Sequence, residues 1–339
     1  MKKSREQLPT ISIITTAFNS NLVTFERVLK SIQKQDYPGD KIEHIVADAG
    51  STNGTVDLAK KYKCKVLIRK DLQEEINARM YEAVRIAKND IIAIIETDNP
   101  LPTIDWLKRM VEPFKEENVF STYNAFNCLD KEMSLLSRYC ALFGVSDPVL
   151  YYLGKSEKMS WYNKKYNKGN ILKRNASYSV VVFTHKTLPT LGDNGCLIKR
   201  KIFLKTKMTA QNFIHLDLFS ELLDQGFDTF GAVHNCIFHS TGTNIIGLIQ
   251  RRLLFRKIFF EKRTNERKYL VYDPSSWKDK INLLKFCFYT VTFIEPLWES
   301  IRGYLKLRDV AWFLHPVMCW VFFLGYSKLE IEKIIRKMI

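Results

Sequence analysis

The sequence has few of the features that mark simple function classes. It contains no Cys-x-x-Cys pair, and its seven cysteines are scattered and odd in number. That excludes a zinc knuckle and a disulfide framework, and it predicts reduced thiols in a cytosolic compartment. It has no internal repeat and no low-complexity segment, and no nucleic-acid motif. Glycine is absent from Thr15 to Asn19, where the first strand ends. A nucleotidyltransferase would need a glycine-rich phosphate loop there. The basic start Met1-Lys2-Lys3-Ser4-Arg5 is followed only by a short apolar run from Ile11 that Thr15 and Thr16 interrupt. It has no small-residue cleavage site, so no signal peptide is expected. Acids are outnumbered, 36 against 52 basic residues, a net charge of +16. Such a surplus asks for anionic surroundings, whether phosphorylated substrates, anionic lipid or nucleic acid.

What is present is an alternation of short apolar runs and helical patterns. Ile11–Phe18, Ile42–Ala47, Lys65–Ile68 and Ile91–Ile95 read as strands. Between them, Leu22, Phe25, Val28, Leu29 and Ile32 recur at helical spacing, as do Ile76, Met80, Ala83, Val84 and Ala87. Strands alternating with helices predict an α/β fold with a mostly parallel central sheet flanked by helices. The Ile91 run ends abruptly in Glu96-Thr97-Asp98-Asn99-Pro100. In parallel sheets the ligand lies beyond the carboxyl ends of the strands. Two carboxylates one residue apart at such an end can address one hard divalent cation; an acidic turn before Asn-Pro is the plain alternative.

Four motifs stand in register over about ninety residues. They are Thr16-Ala17-Phe18-Asn19 after the first strand, Ser31-x-x-x-Gln35-x-Tyr37-Pro38, Asp48-x-Gly50-Ser51-Thr52-Asn53-Gly54-Thr55, and the acid-x-acid strand end. Together they resemble family 2 glycosyltransferases of the GT-A (nucleotide-diphospho-sugar transferase) fold, over roughly residues 8–243. The resemblance implies an inverting, metal-dependent transfer from a nucleotide-diphosphate sugar, most commonly a UDP-sugar, to a hydroxyl acceptor. It implies Mn²⁺ or Mg²⁺ as cofactor. Donor binding would fall to Thr16, Ala17, Asn19, Asp48, Arg79 and Glu96, and the metal to Asp98. Departures are clear: Ala49 replaces a second acid after Asp48, Glu96 replaces the first acid of Asp-x-Asp, and Met80 and Glu82 replace an Asn and a Gly after the basic residue.

Further on, Asp193, Asn194 and Gly195 resemble the family's acceptor-side turn. His215-x-Asp217 resembles its catalytic acid at a helix start, with His in the first acidic place, so Asp217 is expected to be the base, with Asp193 and His215 next in line. His239, after a strand, would complete the metal site. Lys155 to Arg174 carries seven basic residues against one acid, interleaved with Trp161, Tyr162 and Tyr166. That segment would contact a phosphorylated acceptor or a lipid headgroup.

From Gln250 to Lys268 there are eight basic residues and two acids among leucines and phenylalanines, the pattern of a membrane-surface helix. Two apolar stretches follow, 281–298 and 310–326. At 1.5 Å per residue the second spans about 25 Å, short of a ~30 Å hydrocarbon core. Half-inserted or re-entrant helices are expected rather than clean spans. The expected organisation is a nucleotide-sugar-binding half at 8–125, an acceptor-binding half at 126–243 and a helical membrane-associated region at 244–339. The expected place of work is the cytoplasmic face of the cell membrane, with an anionic surface and a lipid-linked acceptor as partners and no nucleic acid. Two other classes stand against this: a nucleotidyltransferase of related fold, and a non-catalytic basic protein that binds membrane or nucleic acid with a steep salt dependence.

Overall fold

The computed structural model describes residues 8–163, 165–242, 244–257 and 267–338. The strands are β1 (Ile11–Ala17), β2 (Ile42–Asp48), β3 (Lys65–Ile68), β4 (Ile91–Ile94), β5 (Ser121–Asn127), β6 (Asn170–Arg174), β7 (Tyr178–Val182), β8 (Cys196–Lys199) and β9 (Thr229–Ile237). The α-helices are α1 (Leu22–Gln33), α2 (Thr55–Lys61), α3 (Ile76–Ile86), α4 (Trp106–Val111), α5 (Leu135–Phe143), α6 (Pro148–Tyr152), α7 (Arg200–Phe203), α8 (His215–Asp224), α9 (Ile245–Phe255), α10 (Trp277–Thr292), α11 (Ile294–Lys306) and α12 (His315–Met338). The chain forms two compact units, residues 1–125 with 166–239, and residues 126–165 with 240–339. Residues 126–165 thus group with the C-terminal helices.

The first unit is built on a nine-stranded sheet in the order β3-β2-β1-β4-β8-β5-β9-β7-β6. β3-β2-β1-β4 is parallel. Every residue of β1 and β4 is buried, because helices cover both faces of a parallel sheet. The second half turns antiparallel at β4–β8, β8–β5, β9–β7 and β7–β6. α1 explains its own docking: Asn21 caps it by accepting from Thr24 N, and Phe25, Val28, Leu29 and Ile32 are buried in the core with Ile11 and Ile13. β6 is exposed and carries Lys173 and Arg174, charges that discourage further pairing at a sheet edge. Along this order β1 lies between β2 and β4, so connections leave it in both directions. The crevice beyond the carboxyl ends of β1 and β4 is where such a sheet binds ligands.

The second unit is helical. Leu136, Tyr139 and Phe143 of α5 pack with Leu248 and Ile249 of α9 and with Trp312, Met318 and Phe322. The apolar stretch 281–298 is broken by Phe293, whose φ of +61° ends α10 and starts α11. The stretch 310–326 does not end where its apolar composition does. It runs on in one helical segment, Val310–Arg336, long and apolar enough to cross a membrane, with 39% of its most apolar window buried within the protein. Of the basic pattern 250–268, residues 258–266 lie outside the described residues. Cys64, Cys140, Cys196, Cys287 and Cys319 are free thiols.

Candidate active site at the strand ends

The crevice has a donor wall made of two loops tied together. After β1, Asn19 adopts a φ of +44°. Its backbone N–H donates to Ser51 Oγ at 2.8 Å, and its Oδ1 accepts from Thr52 N at 2.9 Å. After β2, Asp48 is fully buried. It accepts from Gly50 N and Ser51 N, both at 2.7 Å, and from Ser51 Oγ at 2.5 Å. Both of its oxygens therefore organise the 48–51 loop. Gly50, at φ +89°, has the stem of Lys70 where a side chain would stand, 2.6 Å from the Cβ position. Thr16 and Ala17 are buried at the β1 end.

The charged floor comes from β4 and α3. Thr16 Oγ1 donates to Glu96 Oε2 at 2.6 Å. Burial pushes the Glu96 carboxyl up to about 8, the neighbouring charges of Asp98 and Asp193 add to it, and the Thr16 bond opposes it. A group so placed is mostly protonated at neutral pH. Arg79 is only 4% exposed. Its Nη1 donates to the carbonyls of Leu72 and Gln73, and its buried Nε has no hydrogen-bond partner. Burial lowers its ordinary value, while the charges of Glu96 and Asp48 hold it up.

Asp98 Oδ2 stands 3.6 Å from His239 Nε2, both side chains partly exposed. Donors that far apart fit adjacent corners of one cation's coordination shell, where bonds near 2.1 Å put neighbours about 3 Å apart. No group of three or more His, Cys, Asp or Glu able to hold a metal occurs among the described residues. Two protein ligands of this kind leave several positions for diphosphate oxygens, so the residues fit a donor-bridging cation.

The acceptor wall is the 192–195 loop and the start of α8. Gly192, Asn194 and Gly195 all have positive φ. Gly195 N donates to Ile94 O at 2.8 Å, which fastens the loop to the end of β4. Asn124 Nδ2 donates to the carbonyls of Asn194 and Gly195 and lies 2.4 Å from where a Gly195 Cβ would be, so only glycine fits. His215 Nε2 is 3.9 Å from Asp193 Oδ2, and its Nδ1 bonds Asn77 Oδ1 at 3.1 Å. Because the Asn77 oxygen can only accept, Nδ1 carries the proton. Asp217 lies in the same helical turn but is 3% exposed.

Three residues that position this site were not singled out by sequence. Asn99, read only as part of a turn, accepts from Glu96 N at 3.1 Å and donates to Phe238 O at 3.0 Å. Asn77 and Asn124 hold the acceptor wall. Beneath the site, His44 Nε2 meets Thr15 Oγ1 at 2.9 Å, and Thr15 donates its one hydroxyl proton to Ile95 O at 2.6 Å. None of these carries a local signal, since a lone Asn or His has no period and no spacing.

No curated protein sequence matches the chain. Among solved structures, a mannosyltransferase, PcManGT from Pyrobaculum calidifontis in complex with GDP-Man and Mn²⁺, is similar with a TM-score of 0.52 at 14% identity, covering 95% of this chain and 87% of that one. Glucosyl-3-phosphoglycerate synthase from Mycobacterium tuberculosis, in complex with Mn²⁺, UDP and glucosyl-3-phosphoglycerate, has a TM-score of 0.46 at 17% identity, covering 78% of this chain and 82% of that one. The model of the family described as "Glycosyl transferase family 2" matches residues 12–187, more than half of the chain. With the acid-x-acid strand end standing at the head of a GT-A-like sheet, the chain belongs to glycosyl transferase family 2.

Proposed function

We propose that this glycosyltransferase moves a sugar from a nucleotide-diphosphate donor, a UDP-sugar first among the candidates, to a hydroxyl acceptor with inversion at the anomeric carbon. The observation that carries this reading is the pairing of Asp98 with His239 at 3.6 Å, beside Glu96 and Asp193. A divalent cation, Mn²⁺ or Mg²⁺, held by Asp98 and His239 would supply neutralisation of charge on the leaving diphosphate. Thr16, Ala17 and Asn19 line the nucleotide side, with Asp48 ordering the loop against which the base lies. Arg79 offers positive charge toward the diphosphate. Glu96, its carboxyl pushed up by burial, donates or accepts at the donor without adding a second full negative charge there.

Asp193, Asn194 and Gly195 orient the acceptor and the sugar. The acceptor proton leaves to the first turn of α8 as the oxygen attacks. The family register gives that part to Asp217. His215, less buried than Asp217 and with Nδ1 against Asn77 Oδ1, is the next candidate in the same turn.

The place of work in this reading is the cytoplasmic face of a membrane, with an anionic surface and a lipid-linked acceptor. Its support is the helical segment Val310–Arg336 and the run of Lys and Arg before it, since such charges stay on the cytoplasmic side.

Thermal unfolding against a panel of nucleotide sugars, with and without Mn²⁺ or Mg²⁺, tests the activity class. A ligand that binds only the folded state raises its melting temperature. Stabilisation by a nucleotide sugar that depends on the cation is expected. Stabilisation by none, or equally without cation, overturns the reading.

A further inference from the structure

Helices α10 and α11 reverse the usual amphipathic arrangement. α11 turns Pro296, Ser300 and Gly303 inward, and its large apolar side chains outward. Ile294 is 74% exposed, and Trp298 and Leu305 lie on the same side. α10 continues the pattern: Leu284 is 70% exposed, with Phe288 and Val291 following at helical spacing. Monomeric soluble proteins rarely leave such a contiguous apolar patch open, and one this continuous marks a binding surface.

The charges on the two helices are sorted as well. Lys278 and Lys285 are exposed, Arg302 and Lys306 are exposed but lie over the Tyr162 ring, and no acid of α10 or α11 is exposed. Asp279 is buried near Lys155. Glu295 and Glu299 accept from the hydroxyls of Tyr152 and Tyr151. An outer face of large apolar side chains and cations, with every acid withdrawn, complements an anionic lipid surface. The lengths decide the orientation. Sixteen and thirteen residues make helices of about 24 and 20 Å, too short for a ~30 Å core, and the break at Phe293 separates them.

We propose that α10 and α11 form a monotopic anchor that lies in the plane of an anionic bilayer, apolar stripe down, to a depth of about 5–10 Å. The proposal rests on the membrane location given above for the enzyme but not on its chemistry, and it assigns an in-plane contact to these two helices in addition to the helical segment Val310–Arg336. Lys278 and Lys285 snorkel to the headgroups while their stems cover the edge of the stripe.

The test uses the full chain reconstituted in phosphatidylcholine–phosphatidylglycerol vesicles whose chains are brominated either near the headgroup or near the chain end. The Trp298 signal is the fluorescence difference between the wild type and Trp298→Phe. Stronger quenching by shallow than by deep bromine is expected, and Phe288→Glu with Ile294→Glu should abolish at least nine-tenths of it. Stronger deep quenching would mean that the segment crosses the bilayer and would overturn the proposal. No quenching at either depth would overturn it too, and a doubled mass by light scattering would then identify a second copy of the chain as what covers the stripe. The double variant should keep the nucleotide-sugar-dependent thermal shift, so that loss of lipid contact is told apart from failure of the glycosyltransferase reading.

Discussion

Asn99 Nδ2 donates to the main-chain oxygen of Phe238 at 3.0 Å, joining two turns 139 positions apart in the chain. The same side chain accepts from Glu96 N. One buried amide thus sets the distance between the acid-x-acid turn and the residue before His239.

Asn99→Ala leaves Glu96 N and Phe238 O without that partner. Removing one side of buried hydrogen bonds costs about 1–3 kcal/mol, so a lower melting temperature is expected. The cation-dependent part of donor stabilisation should fall further than that of a control core variant of equal stability. An equal fall in both would mean that Asn99 only supports the fold.

Asp98→Ala should abolish transfer and cation-dependent donor binding while the circular dichroism spectrum stays native. His239→Ala should weaken cation affinity less, since a carboxylate remains. Glu96→Ala should be milder than Asp98→Ala, because burial already holds Glu96 largely neutral near pH 7. Isothermal titration with Mn²⁺ and a nucleotide diphosphate separates the three. An Asp98→Ala protein that keeps metal-dependent turnover would remove Asp98 from the site.

For the base, His215→Asn and Asp217→Asn are compared at saturating donor. Loss of the general base lowers kcat by roughly 10²–10⁴-fold with donor binding nearly unchanged. Accessibility leads us to expect this for His215→Asn, and chiefly a lower melting temperature for Asp217→Asn. The opposite result would return the role to Asp217, as the family register implies.

His44 gives the fold a pH dependence. Burial pulls it from 6.5 down to about 4, so the unfolded chain binds its proton at higher pH than the folded one. Its contribution is fully present above about pH 6.5 and is lost as the pH falls toward 4. Melting temperatures between pH 7.5 and 4 should fall less steeply in His44→Gln than in the wild type. Parallel curves would show that His44 takes no part.

Gly303→Ala should destabilise the helical unit by about 1–3 kcal/mol through overpacking. The indole of Trp312 lies 2.4 Å from the added carbon, against a well-packed core. A chemical denaturation midpoint equal to that of the wild type would contradict this packing.

The sequence alone determined the local chemistry. Period and composition gave β1 to β4, the helices between them and the abrupt acidic end at Glu96 and Asp98. Motif register named the family, because those signals lie within ninety residues and depend on local geometry. It could not decide what stands next to what. Asp98 meets His239, Asp193 meets His215, and Asp48 folds its carboxylate into its own loop, all through sheet order and loop closure that leave no period in the chain. In α10 and α11 an apolar residue reads the same whether it faces the core or the outside. Only the fold decided that Ser300 and Gly303 turn inward and Ile294 and Leu284 outward, because only there does Trp312 fill the space beside Gly303.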